Sequence, residues 1–95
     1  MIDRLVIGCE NLEVENVEVL YANLTLIASG NITLEDVLVW GDSKLTIEAE
    51  GDVIIVNNLE IKANAELDIK ALGKVSINGN FIVDPAAKLS IINTF

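Results

Sequence analysis

Apolar and polar residues alternate along this chain in short runs, and the runs recur at intervals of about twenty-one residues. Within a run the period is two, that of a half-buried strand and not of a helix. Four stretches superpose when started at Cys9, Gly30, Gly51 and Gly73: CENLEVENVEVLYANLTLIAS, GNITLEDVLVWGDSKLTIEAE, GDVIIVNNLEIKANAELDIKAL and GKVSINGNFIVDPAAKLSIINTF. Each contains three runs. The first gives the apolar columns Leu12, Ile32, Val53, Val75 and Val14, Leu34, Ile55, Ile77; the second gives Val17, Val37, Leu59, Phe81 and Val19, Val39, Ile61, Val83. The third starts one turn earlier, with Leu5, Leu24, Leu45, Leu67, Leu89, then Ile7, Leu26, Ile47, Ile69, Ile91, then Cys9, Ala28, Ala49, Ala71. Self-similarity at a fixed spacing of this size marks a stacked repeat.

Three short strands per repeat, each lying on its counterpart in the next repeat, predict an all-β fold: a short single-stranded parallel β-helix of about four turns, with the apolar columns inside. Counted along the leucine column the turns hold 19, 21, 22 and 22 residues. That length differs from the strict eighteen-residue rhythm usual in left-handed β-helices, so a right-handed one is expected. Turn residues separate the runs: Gly30, Gly51 and Gly73 at one corner, Asp42-Ser43, Asn64 and Pro85 at another, Asn57-Asn58 and Asn78-Gly79-Asn80 at the third. Glycine and asparagine at such corners suggest backbone with positive φ. An antiparallel sandwich would also show many short strands, but it gives no reason for Leu-x-Ile-x-Ala to recur at one position.

Composition narrows the function more than it identifies it. The chain has 95 residues, the size of one domain (1–95), and is 52% hydrophobic. Its longest apolar runs, such as Val53-Ile54-Ile55-Val56, are far shorter than the eighteen or more needed for a membrane span. Met1-Ile2-Asp3-Arg4 shows no basic region followed by an apolar stretch, so a complete chain is expected in the cytoplasm. Fifteen acidic against six basic residues give a net charge of −9, which disfavours nucleic acid and anionic membranes as partners, because phosphate contacts need Lys or Arg. No histidine is present and there is one cysteine, so the usual ligands and bases of zinc and triad chemistry are missing.

A β-helix without caps exposes its last apolar columns and its unpaired strand edges, and such edges invite another chain. No segment here reads as a capping helix. The residues expected at an open C-terminal end are Phe81, Leu89, Ile91 and Phe95, and at the N-terminal end Met1 and Ile2 would have to cover Leu5, Ile7 and Leu12. Residues 1–48 carry nine acids and two bases, residues 49–95 six and four. That gradient favours head-to-tail contact. A second surface is expected on the outside, where Leu20, Tyr21, Leu38 and Trp40 occupy outward positions of the second run; exposed Trp and Tyr are typical interface anchors.

Signs of chemistry are weak. Glu35, Asp36 and Asp42 are the acids that a glycosidase pair would draw on, but the loops around them are too short to enclose a sugar, and they are expected to be corner residues. Glu13, Glu15 and Glu18 lack the glycine-aspartate pattern of calcium-binding solenoids. Thr25 and Thr46 share an outward column that continues as Asp68 and Ser90, so no threonine array forms. Glu48 is expected above Lys70 as an outward pair. Cys9 takes the place of the column alanines and acts as a small hydrophobe. No catalytic residue, metal ligand or cofactor is therefore assigned.

The pattern Gly-x-(Val/Ile)-x-(Ile/Leu) followed by Leu-x-Ile-x-Ala resembles repeats of bacterial surface adhesins, phage tail fibres and the bactofilin cytoskeletal proteins. The resemblance spans nearly the whole chain and is one of architecture. Bactofilins are short uncapped β-helices that polymerise end to end, which implies a non-enzymatic structural protein that forms homo-oligomers. The adhesin and fibre likeness implies the alternative, a binding module for a glycan or protein ligand excised from a larger chain.

Overall fold

The structure, a computed structural model, describes the backbone of residues 6–93 and the side chains of residues 10–93. The strands are β1 (Val6–Cys9), β2 (Leu12–Leu20), β3 (Asn23–Ala28), β4 (Ile32–Trp40), β5 (Lys44–Ala49), β6 (Val53–Lys62), β7 (Glu66–Ala71), β8 (Val75–Ile77), β9 (Asn80–Val83) and β10 (Lys88–Ile92). Helix is absent among the described residues. One sheet runs β1-β3-β5-β7-β10 and the other β2-β4-β6-β8, with β9 also paired to β6. Every pairing is parallel. The chain alternates between the sheets, so each strand pairs with the strand one turn away, and the fold is the β-solenoid of about four turns that the columns predict. Leu24, Leu45, Leu67 and Leu89 are in register, as are Val17, Val37, Leu59 and Phe81.

All three runs of a turn are present, with the first two joined end to end in one long strand. Asn16 (φ 56°), Asp36 (φ 55°) and Asn57 (φ 71°) lie in the left-handed region, which short polar side chains tolerate better than most. One such residue bends the strand and resets its alternation. Inward positions therefore pass from Leu12 and Val14 to Val17 and Val19, so that both halves face the axis. In the last turn Gly79 (φ 102°) takes this place and separates β8 from β9. Turn length grows at this corner, where Glu35 pairs with Val56 but Val37 with Leu59. The extra residue is absorbed by side-chain amides: Asn57 donates to Glu35, and Asn58 donates to Asp36 at 2.8 Å while accepting from Asn80 at 2.9 Å.

At the glycine corner the expected positive φ is not what the structure shows. Gly30, Gly51 and Gly73 are not among the positive-φ residues. Their hydrogen side chain is required by crowding instead. A Cβ on Gly30 would collide with the Glu10 carbonyl and Asn11 Oδ1, one on Gly51 with Asn31 Oδ1, and one on Gly73 with Asp52 Oδ1. Those same oxygens accept the next turn's backbone: Asn11 Oδ1 from Asn31 N (3.0 Å), Asn31 Oδ1 from Asp52 N (2.8 Å) and Asp52 Oδ1 from Lys74 N (2.8 Å). Alongside them Gly51 N donates to the Gly30 carbonyl and Gly73 N to the Gly51 carbonyl. Glycine followed by Asn or Asp is thus one device: the side-chain oxygen needs the space that the glycine above it leaves.

The inward columns make the core. Ile32, Leu34, Leu45, Ile47, Ile55, Leu59, Ile61 and Leu67 are fully buried, and the alanine column of Ala28, Ala49 and Ala71 is buried beside the glycine corner. Ser43 is the one buried polar side chain among the described residues. It is satisfied, because its hydroxyl donates to the Trp40 carbonyl at 2.7 Å and accepts from Ala22 N at 3.4 Å. Replacing Gly51 by Ala is expected to lower stability by about 1–3 kcal/mol through overpacking, and removing the colliding amide as well (Gly51→Ala with Asn31→Ala) should cost less than the sum of the two single changes. Urea denaturation of the four proteins measures this coupling.

Candidate functional site

Each column must end somewhere, and the two ends of the solenoid differ. On the last turn the column positions that are fully buried at Leu59 and Ile61 become Phe81, 48% exposed, and Val83, 38% exposed. In the facing sheet Ile91 is 41% exposed although Ile69 beneath it is buried. Val75, Ile77 and Leu89 are half-buried. These side chains keep their inward column positions, and among the described residues no further turn stacks on them. Strands β8, β9 and β10 each pair on one side only. Outward Ile82 and Ile92 are exposed at the rim of the same turn, so the open end is apolar at its centre and partly apolar at its edge.

At the other end three described inward side chains of β2 are buried and Val14 is half-buried, while the side chains of β1 in the facing sheet lie outside the described residues. Leu12 is 9%, Val17 5% and Val19 2% exposed. The outward positions of β2 before Leu20 carry Glu13, Glu15 and Glu18, all exposed, with Glu10 just before them. Charged side chains along an edge strand are a known guard against pairing with another chain. On the last turn the positions corresponding to Glu13 and Glu18 carry Ser76 and Ile82. Of the residues expected at the open end, Phe81, Leu89 and Ile91 are brought together there. Phe95, and the N-terminal lid of Met1 and Ile2 over Leu5, lie outside the described residues, as do the side chains of Ile7 and Cys9.

The flank holds the second surface. Leu20 and Trp40 are register partners, and Lys62 follows Trp40 in the column. Tyr21 (φ 51°) turns the corner and lies over Gly41 (φ 77°), where a Cβ would meet its ring. Its ring meets Trp40 edge-on, with centroids 5.5 Å apart at 73°. Leu20, Tyr21 and Trp40 are exposed and form one patch. Leu38 lies two residues before Trp40 on the same outward face of β4. Its column neighbours are Glu18 and Glu60, and it helps floor a groove of about 270 Å³ that Asn16, Asp36 and Asn58 also line. Column order alone would have shown that Leu38 lies between two glutamates.

The acids do not converge. Glu35 and Asp36 are held by Asn57 and Asn58, whereas Asp42 is at another corner, 3.5 Å from Asn64 Nδ2. Among the described residues no three acids or other ligand groups are placed to hold a metal ion. Glu48 and Lys70 are register partners, but the ion pairs are elsewhere: Lys44 with Asp68 at 3.2 Å, Lys62 with Glu60 at 3.5 Å and Lys88 with Glu66 at 3.9 Å. All are partly exposed, and pairs of this kind contribute about 0–1 kcal/mol. Complete burial of one large apolar side chain is worth about 1.5–3 kcal/mol. Apolar surface on the last turn therefore outweighs any single charge on the outside.

Column position sets the cost of truncation. Leu59→Ala is expected to lose about 2–5 kcal/mol, whereas Phe81→Ala, one turn further along the same column, should lose under about half of that in the dilute monomer. Denaturant titration of both variants below the concentration of association tests this. Comparison of the chain with models of known families, with curated proteins and with solved structures finds no match.

Proposed function

We propose that this protein is a non-enzymatic structural element that works by self-association. The observation that carries this is the open last turn, where Phe81, Val83 and Ile91 continue fully buried columns and are themselves exposed beside three unpaired strand edges. A surface built as core and left uncovered gains from any partner that supplies the missing turn. The other oligomer residues read from the sequence, Leu20, Leu38 and Trp40, divide: Leu20 and Trp40 stay together with Tyr21, while Leu38 sits between glutamates.

A second role rests on that flank. The exposed Tyr21–Trp40 pair presents two aromatic rings to a protein or glycan ligand, as a binding module would. Sedimentation velocity over a wide concentration range separates the two. The mass is expected to rise above one chain, to fall back with Ile91→Lys and to be unchanged by Trp40→Glu. Loss of association with Trp40→Glu alone would move the contact to the flank, and a single-chain mass at every concentration would contradict self-association.

A further inference from the structure

We infer that Asn78 is a site of covalent self-modification, where the side-chain amide is lost as ammonia and the backbone can be rerouted through the side chain. The inference does not depend on self-association. Asparagine is among the heat-labile residues, because the backbone nitrogen that follows it can attack its own Cγ. A side chain on the following residue crowds that attack, and hydrogen bonds hold the reacting groups away from each other. Asn78 is the one asparagine of the chain followed by glycine. Asn78 and Gly79 are both exposed and lie between β8 and β9, outside the strands. The Asn78 N–H donates to the Ile55 carbonyl at 2.8 Å, but among the described residues neither the Asn78 side chain nor the Gly79 N–H has a hydrogen-bond partner.

Other corner asparagines are tied. Asn31 accepts from Asp52 N, Asn57 donates to Glu35, Asn58 to Asp36 and Asn64 to Asp42, and they are followed by Ile32, Asn58, Leu59 and Ala65. The fold itself demands the glycine after Asn78. Gly79 takes the positive-φ place that Asn57 holds one turn before (φ 102°), and a Cβ on it would collide with the Asn57 carbonyl. The residue that bends the strand is thus the one that leaves Asn78 open to attack.

Water is the only reagent required. Gly79 N gives its proton to hydroxide and bonds to Asn78 Cγ; the Cγ–Nδ2 bond breaks, and the leaving nitrogen takes a proton from water and departs as ammonia. Water then opens the resulting cyclic imide at either carbonyl. Breaking the bond from Gly79 N to Cγ gives aspartate. Breaking the bond from Gly79 N to the Asn78 backbone carbonyl carbon gives an isoaspartyl link, in which the chain runs through Cγ. Both products replace a neutral amide by a carboxylate, ionised at neutral pH. The isoaspartyl link also adds a methylene to the main chain. Ile55 lies opposite Ile77 and Asn58 opposite Asn80, so equal lengths of chain span the corner in the two turns. Lengthening one of them displaces β9 from β6 and breaks the 2.9 Å bond from Asn80 to Asn58.

The test is to hold the full chain at mildly alkaline pH, where the attacking amide loses its proton more readily, beside a mildly acidic control, and to map its peptides by mass spectrometry. The mass gain of amide-to-carboxyl exchange is expected at Asn78 ahead of every other asparagine, with both aspartyl and isoaspartyl products. Asn78→Gln, whose longer side chain disfavours ring closure, should abolish it. In the isoaspartyl fraction hydrogen exchange should be faster in β9 and unchanged in β4 and β5. Equal or faster modification at another asparagine, or a mass gain that persists at this position in Asn78→Gln, would overturn the assignment. So would an Asn78 that stays intact in the folded chain; its modification in urea alone would show that the fold blocks the attack. Unchanged exchange in β9 of the isoaspartyl fraction would overturn the displacement of that strand.

Discussion

Each turn of this molecule is held by the turns adjacent to it. Strand pairing is parallel throughout and joins residues about one turn apart, so no strand has a hydrogen-bonded neighbour within its own turn. Stability in such a fold is close to a sum over interfaces between adjacent turns. The interior turns, with two interfaces each, contain the fully buried side chains. The last turn, with one, contains Phe81, Val83 and Ile91 at partial exposure.

Nearest-neighbour stacking also dictates the corners. A residue can be added to a turn only where its neighbours can absorb it, and the extra residue of β6 lies where Asn57 and Asn58 bond to Glu35 and Asp36. At the opposite corner the spacing is so close that the glycine of one turn and the Asn or Asp of the turn before it fill one volume. The ladder of side-chain oxygens runs from Asn11 through Asn31 to Asp52 and delivers its last bond to Lys74, whose side chain has no acceptor to offer a further turn.

The columns were legible in the sequence because burial in a strand repeats every two residues and stacking repeats every turn. Both periods survive in the order of Leu, Ile and Val. The open C-terminal end was legible for the same reason: Phe81, Leu89 and Ile91 are the last members of their columns. Three features were not. The joining of two runs into one strand depends on φ at Asn16, Asp36 and Asn57, which polar corner residues permit but do not announce. The role of Gly30, Gly51 and Gly73 depends on what lies one turn below, a distance of some twenty residues in the chain. The burial of Val17 and Val19 in the first turn has no signal in the column pattern, whereas a cover over Leu12 was already expected. Leu38 shares the outward face of β4 with Trp40, and its column partners Glu18 and Glu60 are legible only once the turns are stacked.

If assembly consists of completing the last turn with another copy, the backbone amides of β8, β9 and β10 must change environment with protein concentration. Hydrogen exchange measured strand by strand reads this most directly. Exchange in these three strands is expected to be fast in dilute solution and to slow as concentration rises, while β4 to β7 remain protected at both. Equal exchange of β8 to β10 at low and high concentration would contradict the claim that the open turn is where this protein meets its partner.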